Sequence, residues 1–199
     1  MLISSFIFAQ QNDQQLAYQY YVNGKYDKAI AIYKDLNKER FSVAYYSPYF
    51  SSLLKNEEYK TAEQLAKRVA KLYPNSLNYQ LEIGIAQEKS GDSRKATRTF
   101  KKLFQKLDGG KSQAINLANT YTRYAMYEDA LKVYLLSEKI NPKVNFGIQK
   151  AQLYAHLGKA DLMIQEYLEV LLLQPTQKPM VMSQIQRFLD NDGIKSDKN

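Results

Sequence analysis

The chain has 199 residues, of which 45% are apolar and 24% charged, a balance that supports a folded core and argues against a disordered chain. Cysteine is absent, which excludes disulfides and thiolate metal sites without fixing the redox compartment. The formal net charge of +8 would suit an acidic partner, nucleic acid or an anionic surface, but the lysines are dispersed and no run of five or six basic residues occurs, the pattern of a solvated basic exterior.

Taken from the start, MLISSFIFAQ is apolar and small-residue punctuated and gives way abruptly to QNDQQ. It is similar to the apolar core and cleavage end of a bacterial secretory signal, with cleavage after Ala9. No lysine or arginine precedes it and Ile7 fits poorly at the second small position; a beginning lost through a misplaced start codon would account for both. Residues 1–9 are therefore expected to be a signal-peptide remnant, and the protein to be exported, periplasmic or envelope-associated, with the cytoplasm as the other location. Nothing in the sequence reaches the roughly 18 uninterrupted apolar residues of a membrane-spanning helix.

Beyond that point the chain repeats. GKYDKAIAIYK begins at residue 24, and related stretches begin at 57 (EEYKTAEQLAK), 91 (GDSRKATRTFK), 125 (AMYEDALKVYL) and 158 (GKADLMIQEYL), spacings of 33, 34, 34 and 33. Such a period marks an array of supersecondary units. In the first unit (10–42), Leu16, Ala17 and Tyr20 share one helical face, and Ala29, Ile30, Ile32, Tyr33 and Leu36 form a second stripe after Gly24. Each unit thus predicts two antiparallel helices joined at a tight turn, where glycine tolerates the left-handed backbone that ends a helix. Gly24, Gly91 and Gly158 fill that place; Glu57 and Ala125 replace it, so those two turns are expected to close differently. The second unit (43–76) departs at FSVAYYSPYF, where Ser47 reads as an N-cap and Pro48 as the first helical residue, so its first helix is expected to start late or kink. Units three to five cover about 77–110, 111–143 and 144–176. Met180, Met182, Ile185, Phe188 and Leu189 then predict a capping helix over 177–190, followed by a polar tail, 191–199, expected to be disordered.

These units resemble tetratricopeptide (TPR) repeats. The resemblance rests on a small residue in the first helix (Ala17, Gly84, Ala118, Ala151, with Phe50 as the departure), one in the second (Ala29, Ala62, Ala96, Ala130, then Met163), a following aromatic (Tyr33, Phe100, Tyr134, Tyr167, with Ala66 as the departure) and closing prolines (Pro74, Pro142, Pro175). It covers about residues 10–175 and implies an all-α fold: a right-handed α-solenoid of about five helix pairs plus the cap, with first helices lining a concave side. Small residues let crossing helices approach to around 8–10 Å. Tyr20, Tyr26, Tyr33, Tyr59, Tyr121, Tyr127, Tyr134, Tyr154 and Tyr167 fall at packing places, so most of the aromatic content reads as packing between helices and not as a base-stacking set.

Catalysis has little support. The single histidine, His156, has no partner cluster, and no His, Cys, Asp or Glu spacing suits a metal, so neither cofactor nor metal is expected. GGKS (109–112) imitates the end of a phosphate-binding loop, but Gln105 stands where its first glycine belongs and a helix, not a strand, precedes it. The family's clamp for a C-terminal carboxylate is missing: Asn119 matches its asparagine, but Ile115 replaces the accompanying lysine, and Asn145 and Gln149 replace its basic residues. What the resemblance places on the groove is an apolar floor (Tyr18, Tyr21, Leu54, Ile85, Ile115, Ile148) and a row of Lys55, Lys89 and Arg123, which would hold an acidic or amphipathic segment of another protein. The competing explanation for that row is the helix dipole, which favours cations in a last turn. The expectation is a non-enzymatic protein-interaction scaffold with Tyr18, Tyr21, Lys55, Ile85, Lys89, Asn119 and Arg123 at its peptide-binding groove, and no small-molecule substrate. Single-stranded RNA binding by a related helical-pair array is the alternative, disfavoured because Ile85 interrupts the row that would read bases.

Overall fold

The computed structural model describes the backbone of residues 2–39 and 42–196, and the side chains of 12–38 and 42–190. The fold is all-α, with no strand among the described residues. Five helix pairs follow one another: α1 (Leu2–Val22) with α2 (Tyr26–Glu39), α3 (Tyr46–Lys55) with α4 (Tyr59–Leu72), α5 (Leu77–Lys89) with α6 (Ser93–Gln105), α7 (Lys111–Arg123) with α8 (Tyr127–Ile140), and α9 (Gly147–His156) with α10 (Ala160–Leu173). A last helix, α11 (Lys178–Ser196), continues past Asp190, where the sequence pattern placed a polar tail. The proposed leader, 1–9, and the tail, 191–199, have side chains outside the described residues.

All five hairpin turns close in one way, which corrects the expectation for Glu57 and Ala125. The residue ending each first helix is left-handed: φ is +70° at Gly24, +60° at Glu57, +85° at Gly91, +57° at Ala125 and +68° at Gly158. In each turn the next amide donates to the carbonyl five residues back, as Lys25 N to Tyr20 O (2.9 Å), Glu58 N to Leu53 O (2.8 Å) and Met126 N to Tyr121 O (3.0 Å). This 6→1 bond satisfies carbonyls that the helix end leaves over. Reversal into the next helix dictates the backbone, and the side chain conforms.

The chain divides into two compact units, residues 1–103 and 104–199. In the first, Ala17 and Ala29 are fully buried in the pair formed by α1 and α2. Tyr33 stacks on Tyr45 with ring centroids 5.8 Å apart and leans on Tyr49 at 5.6 Å. Between α3 and α5, Tyr46 donates a buried hydrogen bond of 2.8 Å to Glu82. Gly84 of α5 faces the Phe100 ring of α6 so closely that a β-carbon would overlap it. The large Phe50, where a small residue was expected, is fully buried and stacks on Tyr46 at 5.7 Å.

In the second unit, Phe104 stacks on Tyr121 (6.0 Å) and Tyr134 packs on Phe146 (4.7 Å). Val181 of α11 is fully buried in a cluster with Ala151, Met163, Tyr167 and Val170, so the last helix covers the apolar face of the last pair. One helix pair cannot bury its own stripe, and each large side chain so covered contributes about 1.5–3 kcal/mol. Lys150 lies between two carboxylates, 3.0 Å from Glu138 and 3.0 Å from Glu166, and Glu138 also accepts from the Phe146 amide at 2.8 Å.

Candidate functional site

In the first unit the start of α3 is irregular. The Ser42 hydroxyl accepts from the Ala44 amide (3.3 Å) and caps a short 3-10 turn, Val43–Tyr45, ahead of α3 proper. Tyr45, not Ser47, is the N-cap, and Pro48 sits inside the first turn, where its missing N–H costs no helix bond. Beside this turn α1 presents Gln14, Gln15, Tyr18 and Gln19, which share a face by i, i+3, i+4 spacing. Together with Tyr33 of α2 and with Ala44, Tyr45 and Pro48, they line a cleft of about 440 Å³.

No charged side chain among the described residues lines this cleft. Tyr33 is fully buried, and its hydroxyl has no hydrogen-bond partner among the described residues. Burial pushes its pKa far above the ordinary tyrosine value, and the neighbouring hydroxyls of Tyr18 and Tyr21 add to the rise. The Tyr45 phenol is likewise raised by burial. Both therefore stay neutral.

The seven residues expected at the groove divide. Tyr18 is 53% exposed and lines the cleft. Tyr21 is half-buried, its ring 6.0 Å from that of Tyr18 and 6.2 Å from that of Tyr26. Lys55 and Lys89 are exposed in the last turns of α3 and α5, and neither forms an ion pair among the described residues. Ile85 is a correction: it is 4% exposed, because Leu77, Leu81 and Ile85 recur at i+4 on the face of α5 that turns into the core. Leu54 is buried for a similar reason, so the apolar floor is largely core, while Ile115 and Ile148 are half-buried. Asn119 and Arg123 are exposed on α7 in the second unit, and the Arg123 guanidinium lies 5.9 Å from the Tyr124 ring centre. His156 is exposed and stacks flat on Tyr127 at 4.7 Å. No group of three metal-ligating side chains occurs among the described residues, and no helix of those described is long and apolar enough to cross a membrane.

Sequence reasoning missed Gln14, Gln15, Gln19, Tyr33 and Tyr45 as site residues. The readable signal was the recurrence of glutamine at 14, 15 and 19 around Tyr18.

No family model matches the chain. It is 27% identical over 199 residues to TPR repeat-containing protein MJ1428 of Methanocaldococcus jannaschii, an alignment covering 90% of the chain and 34% of that protein. The repeats are similar to those of a tetratricopeptide repeat protein. The chain spans about a third of the length of this TPR relative. Among solved structures it is similar to TTC0263, a thermophilic TPR protein in Thermus thermophilus, at 17% identity and a TM-score of 0.45 over 90% of this chain and 98% of that one. PilF of Pseudomonas aeruginosa matches at 16% identity and a TM-score of 0.45, over 89% of this chain and 81% of that one. In this array of helix pairs Tyr33, Tyr121, Tyr134 and Tyr167 are buried, which withholds those rings from stacking on bases.

Proposed function

We propose that the chain is a non-enzymatic adaptor that holds a peptide or protein segment of another protein on its repeats, outside the cytoplasm. The observation that carries this reading is the exposed pair Lys55 and Lys89, in the last turns of α3 and α5. Tyr46 ties those two helices together through Glu82 and by an edge-on contact with Tyr79 at 5.1 Å, so the lysines stand on a braced frame. Two ammonium groups on rigid supports favour an acidic segment, with tyrosine surface from Tyr18 and Tyr21 on α1 to add apolar contact. Asn119 and Arg123 offer a smaller polar patch on the second unit.

The helix dipole alone also favours a cation in a last turn, by about 0.3–1 kcal/mol. The two explanations separate in a binding assay with a labelled glutamate-rich peptide and the Lys55→Glu, Lys89→Glu double variant. Binding lost with helicity retained supports the adaptor; equal binding by parent and variant means that the lysines serve the dipole only. Arg123→Glu tests the second unit in the same way. Export is tested separately, by mapping the mature N-terminus in the native host: cleavage after Ala9 supports it, and an intact leader refutes it.

A further inference from the structure

We infer that the cleft between α1 and α3 seats an uncharged, proline-rich extended segment, recognised by hydrogen-bond donors and an aromatic face in place of charge. This rests on the adaptor reading and names a ligand chemistry for it.

The described lining carries no charged side chain in a chain whose residues are 24% charged, so an acidic ligand would surrender its water there and meet no cation. What the walls offer instead is donors: the carboxamides of Gln14, Gln15 and Gln19 and the phenols of Tyr18 and Tyr33. A polyproline II segment is the complement of such a wall. It has no internal hydrogen bonds, its carbonyls are all exposed acceptors, and its prolines bring no N–H that would need an acceptor. Its rings pack on aromatic faces, and Tyr18, 53% exposed, presents one beside Pro48. The volume of about 440 Å³ falls within the roughly 300–1,000 Å³ of sites that hold compact ligands.

The hydroxyl of Tyr33 is the independent pointer. It is closed to solvent and has no partner among the described residues, whereas buried polar groups in folded proteins are nearly always hydrogen-bonded. Tyr33 also lines the cleft, which assigns its unspent donor to a ligand carbonyl.

The test is fluorescence anisotropy of the full chain with a labelled oligoproline flanked by glycines, beside a glycine-serine peptide of equal length, a glutamate-rich peptide and, by calorimetry, a cello-oligosaccharide. The inference expects the oligoproline to bind, the glycine-serine peptide not to, and excess glutamate-rich peptide not to displace it. Tyr18→Ala, at an exposed position, should abolish the signal. Tyr33→Phe should weaken binding about fivefold, the size of one neutral hydrogen bond, while its unfolding midpoint holds or rises because an unpartnered polar atom is removed. A purely structural Tyr33 would shift the midpoint and leave affinity alone, and that result overturns the assignment. So does failure of the oligoproline to bind, or binding of the oligosaccharide in its place. If the glutamate-rich peptide binds and the oligoproline does not, the cleft assignment falls while the adaptor reading stands.

Discussion

Exchanging the residues of two hairpin turns should move stability in opposite directions. Ala125 is held at φ +57°, and Gly91 does the same work at +85° one repeat earlier. A left-handed backbone costs a residue with a β-carbon roughly 1–2 kcal/mol. Opposing this, glycine loses more chain entropy on folding than alanine, by about 0.4–1 kcal/mol. The difference predicts that Ala125→Gly stabilises by about 0.5–1 kcal/mol. Gly91→Ala should cost a similar amount, because a β-carbon built there meets nothing within 4 Å and adds no clash or contact. In a chain of this size about 1 kcal/mol moves the thermal midpoint by roughly 2–4 °C, so circular dichroism melts resolve both signs. Glu57→Gly, at φ +60° in the other unit, should add to Ala125→Gly nearly independently. If Ala125→Gly leaves the midpoint unchanged or lowers it, the Ala125 turn is not left-handed in solution and the shared closure of the five turns fails.

Other perturbations reach the packing. Gly84→Ala in a helix interior would ordinarily stabilise, but the new β-carbon meets the Phe100 ring, so urea unfolding should report a loss of about 1–3 kcal/mol. Lys150→Met leaves Glu138 and Glu166 together without their cation and should cost about 3–5 kcal/mol. Glu166 is already raised above the ordinary carboxylate pKa by burial, so the folded state holds its proton more tightly than the unfolded chain. Stability of the Lys150→Met variant should therefore recover as the pH falls from neutral toward the acidic range, and a loss over that interval would refute the sign. In the parent, the Glu138 and Glu166 carboxylates outweigh the desolvation that opposes them and raise the Lys150 pKa, a contribution that is present below the ordinary lysine value and lost as the pH rises through the folded one. Ser137 is fully buried with its hydroxyl unpartnered among the described residues, so Ser137→Ala should raise the urea midpoint by an amount worth about 1 kcal/mol.

The five helix pairs were legible because they are built from local information. A period of 33–34 residues, apolar stripes at helical spacing and alanines where helices cross are properties of consecutive residues, and Ala29, Ala62, Ala96 and Ala130 are all fully buried. The turns at Glu57 and Ala125 were misread because residue preference was taken for backbone requirement: the 6→1 bond and the reversal into the next helix outweigh the strain of a β-carbon. Ile85 was misplaced because family analogy names a face, whereas its burial depends on how α5 is rolled against its neighbours.

What the sequence alone decided is that this chain makes paired helices too narrow to hide their own apolar stripes, and so stacks them. The cleft was decided elsewhere. It needs a 3-10 turn at 43–45, a helix beginning at Tyr46 and the side chains of α1, α2 and α3 to converge from positions as far apart as Gln14 and Pro48. The Lys150 triad likewise joins three helices at separations no helical period connects. Local backbone preference carries no information on such meetings, because they depend on the distance and roll of packed helices, which exist only once the chain has folded.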